Sequence, residues 1–298
     1  MRFVRRVLLA TLALLLVSAG AVYGVSAYRL SRTFEVSDSN PTIPSDSVTI
    51  ERGRHLVTAI TMCVDCHGDD LGGKLAIDAG PVGKAISANL TRGRGGIGSD
   101  RTDSDLVRAI RHGVRPDGTP LRFMPSSDYS ALSDDDVAAV VAYVRSVPPV
   151  DRVNPPSEVG PLGRLLFVAG KLPLLSEAEL VTHDVAARQA PSAGVTVEYG
   201  RYLAAIGGCQ GCHGTTLSGG QVPGTPPSFK PASNITPTGI GSWSEADFFR
   251  ALRDGKRPGG TSIDPFMPVK YTKNMTDDEI RAVYLFLKTV PPEEYGNR

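Results

Sequence analysis

Cysteine is scarce in this chain. There are four in 298 residues, and none lies outside two short stretches, Cys63-Val64-Asp65-Cys66-His67 and Cys209-Gln210-Gly211-Cys212-His213. A wider disulfide framework, or a tetrahedral zinc site with a second Cys or His pair at ligand spacing, has nothing to be built from. An excess of one charge is missing too: the net charge is +1 with 21% charged residues. That excludes the basic surface a nucleic-acid partner would need, and there is no acidic tail. Long apolar runs are absent except for one at the N-terminus, and only about six residues precede it, too few for a cytoplasmic signalling module.

What is present is a repeated C-x-x-C-H. One short turn offers two sulfurs to the two vinyl groups of a porphyrin, and the adjacent histidine points its imidazole at the iron. Two copies that use every cysteine point to two covalently bound c-type haems, with Cys63, Cys66, His67, Cys209, Cys212 and His213 holding them. The 32 glycines and 23 prolines agree with a loop-rich fold in which a cofactor fills much of the core.

After Met-Arg-Phe-Val-Arg-Arg the chain runs uncharged from Val7 to Tyr28. These 22 residues, at about 1.5 Å each, are long enough to cross a bilayer of roughly 30 Å. A cleaved signal peptide and a retained transmembrane anchor both follow from this. The run exceeds the 7–15 residues of a signal-peptide core, and Arg29 and Arg32 follow it directly, which favours the anchor. Arg2, Arg5 and Arg6 keep the N-terminus in the cytoplasm. Both readings put the haems outside it, on the periplasmic side of a bacterial inner membrane.

The second half of the chain repeats the first. Asn89-Leu90-Thr91 answers Asn234-Ile235-Thr236, Gly96-Ile97-Gly98-Ser99 answers Gly239-Ile240-Gly241-Ser242, and Phe123-Met124-Pro125 answers Phe266-Met267-Pro268. Upstream, His55 answers Tyr202, and Gly53 answers Gly200. Each copy predicts three helices. The first leads into the motif, over 48–62 and 195–208. The second opens at Thr102-x-x-Asp105 or Ser244-x-x-Asp247 and stops at Gly113 or Gly255. The third opens at Ser133-x-x-Asp136 or Thr276-x-x-Glu279 and ends at Pro148-Pro149 or Pro291-Pro292. The expected fold is all-α: an N-terminal anchor over 1–30, a tether without assigned structure over 31–47, haem domains over 48–150 and 194–298, and an interdomain segment over 151–193. Within that segment Leu162 to Ala169 form an apolar patch too short to span a bilayer, and packing between the two domains is its expected use.

Met124 and Met267 are the candidate sixth iron ligands. Each lies in a loop before the last helix and is followed by proline, which stiffens the loop. Met275 stands where a hydrophobic staple belongs and Met62 adjoins Cys63, so neither is expected to ligate. His55, His112 and His183 are expected in packing or at the surface. Trp243, the only tryptophan, is placed to donate its N–H to a haem propionate. Asp100 and Arg101 occupy that region of the first copy, so the two haem potentials are expected to differ.

With these motifs the chain resembles dihaem class I cytochromes c, and in particular the cytochrome c subunits of bacterial membrane-bound dehydrogenases for alcohols, aldehydes and gluconate. The likeness is carried by the two C-x-x-C-H motifs, Asn234 to Ser244, the Met-Pro loops and Leu132 to Pro149. It implies a membrane-associated periplasmic electron carrier between a dehydrogenase and a quinol-linked complex or terminal oxidase. Those subunits look like three haem modules, whereas this chain has two. Dihaem cytochrome c peroxidases are the competing resemblance, but one of their irons must open to peroxide, and here both copies offer a Met-Pro loop. An electron carrier, not an enzyme, is therefore expected. Charge does not name its partner, since the copies hold 12 Lys/Arg against 13 Asp/Glu and 11 against 10.

Overall fold

The computed structural model describes residues 1–184 and 186–298. It is mostly helical, with the expected helices in both copies and a small sheet in the first. α1 (Arg2–Ser31) is a single 30-residue helix, exposed along its apolar length, with only Ser26 and Leu30 buried. In the first copy α2 (Ser47–His55) runs into a π turn over Leu56–Ile60, followed by α3 (Cys63–His67), α4 (Asp103–His112), α5 (Ser126–Tyr129) and α6 (Asp134–Ser146). Strands β1 (Leu75–Asp78) and β2 (Gly83–Ile86) form an antiparallel hairpin, and β3 (Glu158–Val159) pairs with β2. α7 (Pro161–Val168) follows in the connecting segment. The second copy has α8 (Val197–Ile206), α9 (Cys209–His213), α10 (Pro237–Ile240), α11 (Glu245–Asp254), α12 (Val269–Thr272) and α13 (Asp277–Thr289).

The helix starts follow their caps. Thr102 and Ser244 accept from the amides of Asp105 and Asp247, whose carboxylates reach back to the cap amides, satisfying donors that have no partner within the helix. Gly113 and Gly255 end those helices in the left-handed conformation, where a side chain would be strained.

First and third helices cross at very short range in both copies. A Cβ on Gly53 would lie 1.9 Å from the Ala139 carbonyl oxygen, and one on Gly200 would lie 1.9 Å from that of Ala282. Only glycine lets the backbones meet this closely. Around the crossings Leu56, Val57, Val137, Val141, Leu203, Ile206, Ile280 and Leu287 are buried in one apolar cluster that continues through both copies.

The copies join through reciprocal polar contacts. Tyr202 of α8 donates to the Asp136 carboxylate of α6 at 2.6 Å, and His55 of α2 bonds the Glu279 carboxylate of α13 at 2.8 Å. These are equivalent positions used in opposite directions. Tyr202 also accepts the Ser133 amide at 3.1 Å, so the cap of α6 is completed by the other copy. Arg52 forms a two-pronged pair with Asp136 at 2.9 and 3.0 Å.

The segment over 31–47 is not a loose tether. Beyond α1 it lies extended along the first copy, where Asp38 receives the fully buried His112 at 2.8 Å and Arg111 at 3.4 Å. Ser39 donates to Asp134 at 2.7 Å, and Arg188 reaches Asp38 at 3.3 Å. Nor does the patch 162–169 lie between the two copies. α7 packs on α1 and on the turn between β1 and β2, where Leu30, Phe167, Leu172 and Leu175 form a separate buried cluster.

Candidate haem sites

Each motif occupies a short helix entered through a residue in the left-handed conformation, Met62 (φ 52°) in one copy and Gly208 (φ 67°) in the other. The backbone repeats closely after it. Gly68 and Gly214, then Leu71 and Leu217, take positive φ at matching places. The four thiols are unbridged, and burial pushes them up, Cys209 to about 12. Burial disfavours the charged thiolate at all four positions. Among the described residues no three His, Cys, Asp or Glu side chains converge as a metal site, which leaves zinc without a ligand set.

The histidines are held for a single role. His67 Nδ1 lies 2.9 Å from the Ala88 carbonyl oxygen and His213 Nδ1 lies 2.7 Å from that of Ser233. The carbonyls accept, so Nδ1 carries the proton in both rings, and Nε2 is left with its lone pair and no hydrogen-bond partner among the described residues. Burial also holds both imidazoles below their usual range, favouring the neutral ring that can ligate a metal. Two unbridged thiols on one turn beside such a ring fit a haem c.

Asn89 and Asn234, which the repeat pattern marks without explaining, hold the supporting loops. Each side-chain oxygen accepts from the amide and hydroxyl of the threonine two residues on, and each NH2 donates to a carbonyl beyond the last helix, Asn89 to Val150 and Asn234 to Glu293, both at 2.7 Å.

Met124 and Met267 sit half-buried in loops of matching conformation. Pro125 (φ −79°, ψ 63°) and Pro268 (φ −78°, ψ 55°) are nearly superposable, and each precedes a one-turn helix. Trp243 packs half-buried against the core, its carbonyl accepting from Tyr284 at 2.9 Å. Met275 is buried in the core before the cap of α13, as a staple residue would be.

The short helices after the methionines carry residues that no sequence reading singled out. Tyr271 of α12 donates to Asp65 inside the first motif at 2.8 Å. Reciprocally, Asp128 of α5 faces the second motif, where a Cβ on Gly208 or Gly211 would come within 2.9 or 3.2 Å of its Oδ2. Burial, and then the nearby Glu177 carboxylate, push Asp128 up to about 7. The next residue, Tyr129, donates to the Thr61 carbonyl at 2.8 Å, and Thr61 Oγ1 touches Cys63 Sγ at 3.2 Å. Asp128 and Tyr129 thus connect the surroundings of both motifs within two residues.

Comparison with known proteins agrees with this geometry. Residues 48–144 match the family described as cytochrome C oxidase, cbb3-type, subunit III, and residues 197–291 match the family described as cytochrome c. The chain is 30% identical to the fructose dehydrogenase cytochrome subunit of Gluconobacter japonicus, over 82% of its own length and 53% of the relative's. It is 29% identical to the cytochrome c subunit of the quinone alcohol dehydrogenase of Gluconobacter oxydans, over 85% and 57%. With the "Diheme cytochrome c-type" protein of Cereibacter sphaeroides it shares 30% identity over 75% of its own length and 76% of that protein's. The chain thus spans just over half the length of the two dehydrogenase subunits.

Proposed function

This chain belongs to the cytochrome c family, and on that premise we propose that it is a membrane-anchored, two-haem electron carrier serving a periplasmic dehydrogenase. The observation that carries the reading is the pair of histidines whose Nδ1–H is given to a carbonyl and whose Nε2 has no hydrogen-bond partner among the described residues, each beside two unbridged thiols. Bound haem supplies a one-electron ferric/ferrous couple. The thiols of the two motifs would hold the haem, His67 and His213 would each give it a nitrogen ligand, and Met124 and Met267, on stiffened loops, would each give it a thioether sulfur. A soft, neutral thioether favours ferrous iron, and two protein ligands per iron leave no position for peroxide or oxygen. What remains is electron transfer, with Asp128-Tyr129 as one protein connection between the two sites.

The dehydrogenase partner is inferred from the two Gluconobacter subunits, and a quinol-linked complex or terminal oxidase is the expected second partner. Retention of α1 is supported by its last turn, where Arg29 pairs with Glu179 and Leu30 is buried. The peroxidase alternative draws no support from the relatives above.

The test is ligand binding by the haem-loaded protein and its methionine variants. The unaltered protein should show the near-infrared methionine–iron band and leave cyanide and peroxide unbound. Met124→Ala and Met267→Ala should each remove part of that band and open one iron to cyanide. Cyanide binding or peroxide turnover by the unaltered protein would replace this reading with the peroxidase.

A further inference from the structure

We propose that α7 is an interfacial helix whose exposed leucine face lies in the boundary layer of the lipid bilayer and seats the Met124 side of the first copy on the membrane. The inference rests on α1 being a membrane anchor. In Pro161-Leu162-Gly163-Arg164-Leu165-Leu166-Phe167-Val168 only Arg164 is polar. One side meets protein: Phe167 is fully buried, and a Cβ on Gly163 would come 2.1 Å from the Val82 carbonyl oxygen. The other side presents Leu162 and Leu165, 39% and 49% exposed, three residues apart, with Ala169 exposed one turn further on. A helix at the surface of a water-soluble domain turns polar side chains outward. This face has none.

The depth of α7 against α1 identifies the occupant. Arg164 donates to Ser26 Oγ at 2.8 Å, and its guanidinium lies 5.1 Å from the centre of the Tyr23 ring. The uncharged run of α1 ends at Tyr28, so at about 1.5 Å per residue Ser26 and Tyr23 lie roughly 3 and 8 Å inside its end. Amphipathic helices in the membrane plane bury their apolar faces to about 5–10 Å in this boundary. Tyr23 and Tyr28 stand where interfacial tyrosines collect, and Arg29 and Arg164, held by Glu179 and Ser26, place their charge at the same level. The leucine face belongs to a helix packed on α1, on which Val17 and Tyr23 are 69% and 47% exposed. A lipid surface covers both without a break.

The segment that follows α7 is bonded to the loop that carries Met124. The Phe123 amide donates to the Leu174 carbonyl at 2.7 Å, and Glu177 accepts from the amide and hydroxyl of Ser127 at 2.9 and 2.8 Å. Through that segment, seating α7 in the boundary layer would hold the Met124 loop near the membrane.

Spin labels test this in the full-length, haem-loaded protein, reduced and inserted in phosphatidylcholine/phosphatidylglycerol nanodiscs. Single cysteines would replace Leu162, Leu165, Val17 and, as an aqueous reference, Val48, which is 79% exposed. Accessibility to oxygen and to a neutral nickel chelate would be compared at each. The ratio of oxygen to nickel accessibility should exceed one at 162, 165 and 17 and fall below one at 48. A ratio below one at 162 and 165 with 17 still above one leaves the anchor in place and overturns the inference. So does low accessibility to both reagents at 162 and 165, which means that a second copy or another protein covers the face. A ratio below one at 17 as well removes the anchor reading, and this inference with it.

Discussion

His67 and His213 each give Nδ1 to a backbone carbonyl, and this choice of acceptor settles the tautomer that the sequence leaves open. C-x-x-C-H names the residues but says nothing of Ala88 or Ser233, which lie about twenty residues further on and contribute only main chain. Asp38 was illegible for a related reason. It stands among Ser, Asp and Thr in a stretch that reads as linker, while its partners Arg111, His112 and Arg188 are distant in sequence. Burial alone would raise its carboxyl, but the hydrogen bond from His112 and the charge of Arg111 hold it at about 2. Its folded value is thus below the ordinary range near 4, so the stabilisation is complete above about pH 4 and is lost as pH falls through about 2. Asp38→Asn leaves the fully buried Arg111 short of a counter-charge and should cost about 3 kcal/mol at neutral pH. Chemical denaturation of the two proteins at pH 7 and pH 2 is the check: the difference should be full at the first and largely lost at the second. Equal differences at both would show that Asp38 is not ionised in the folded protein.

At the scale of helices the sequence was most informative. Thr102, Ser133, Ser244 and Thr276 cap where their patterns place them, because a hydroxyl three residues before a carboxylate is a local device that needs no tertiary partner. The helix crossings were less legible, since Gly53 and Gly200 stand out only as repeated glycines. Their reason is the carbonyl 1.9 Å from the Cβ they lack. Gly53→Ala and Gly200→Ala must push α2 from α6, or α8 from α13, and each should destabilise the protein by about 2 kcal/mol. That would appear as a melting temperature several degrees lower with the haem spectrum retained. An unchanged melting temperature would mean that these helices do not meet through glycine. The hairpin of β1 and β2 was missed because its residues, Leu-Ala-Ile-Asp and Gly-Lys-Ala-Ile, are too short for an alternating pattern to register.

For the whole molecule, duplication was plain in the sequence, whereas the way the copies face one another was not. Aligning the repeats shows His55 opposite Tyr202, so that the position demands no imidazole and His55 is expected in packing or at the surface. In three dimensions both matter, because each crosses to the carboxylate that begins the last helix of the other copy. The same reciprocity sets Asp65 against Tyr271 and Asp128 against Gly211, so each motif borders the methionine side of its neighbour. Two sites so joined should act as one short conductor whose haems differ in potential, since Trp243 has Asp100 and Arg101 as its counterparts. The decisive measurement is a spectroscopically monitored redox titration of the haem-loaded protein. Two low-spin, one-electron steps at positive and unequal potentials are expected from histidine–methionine ligation at both irons. A high-spin haem, or a step at the strongly negative potential of bis-histidine ligation, would contradict the assignment of Met124 and Met267, and with it the carrier.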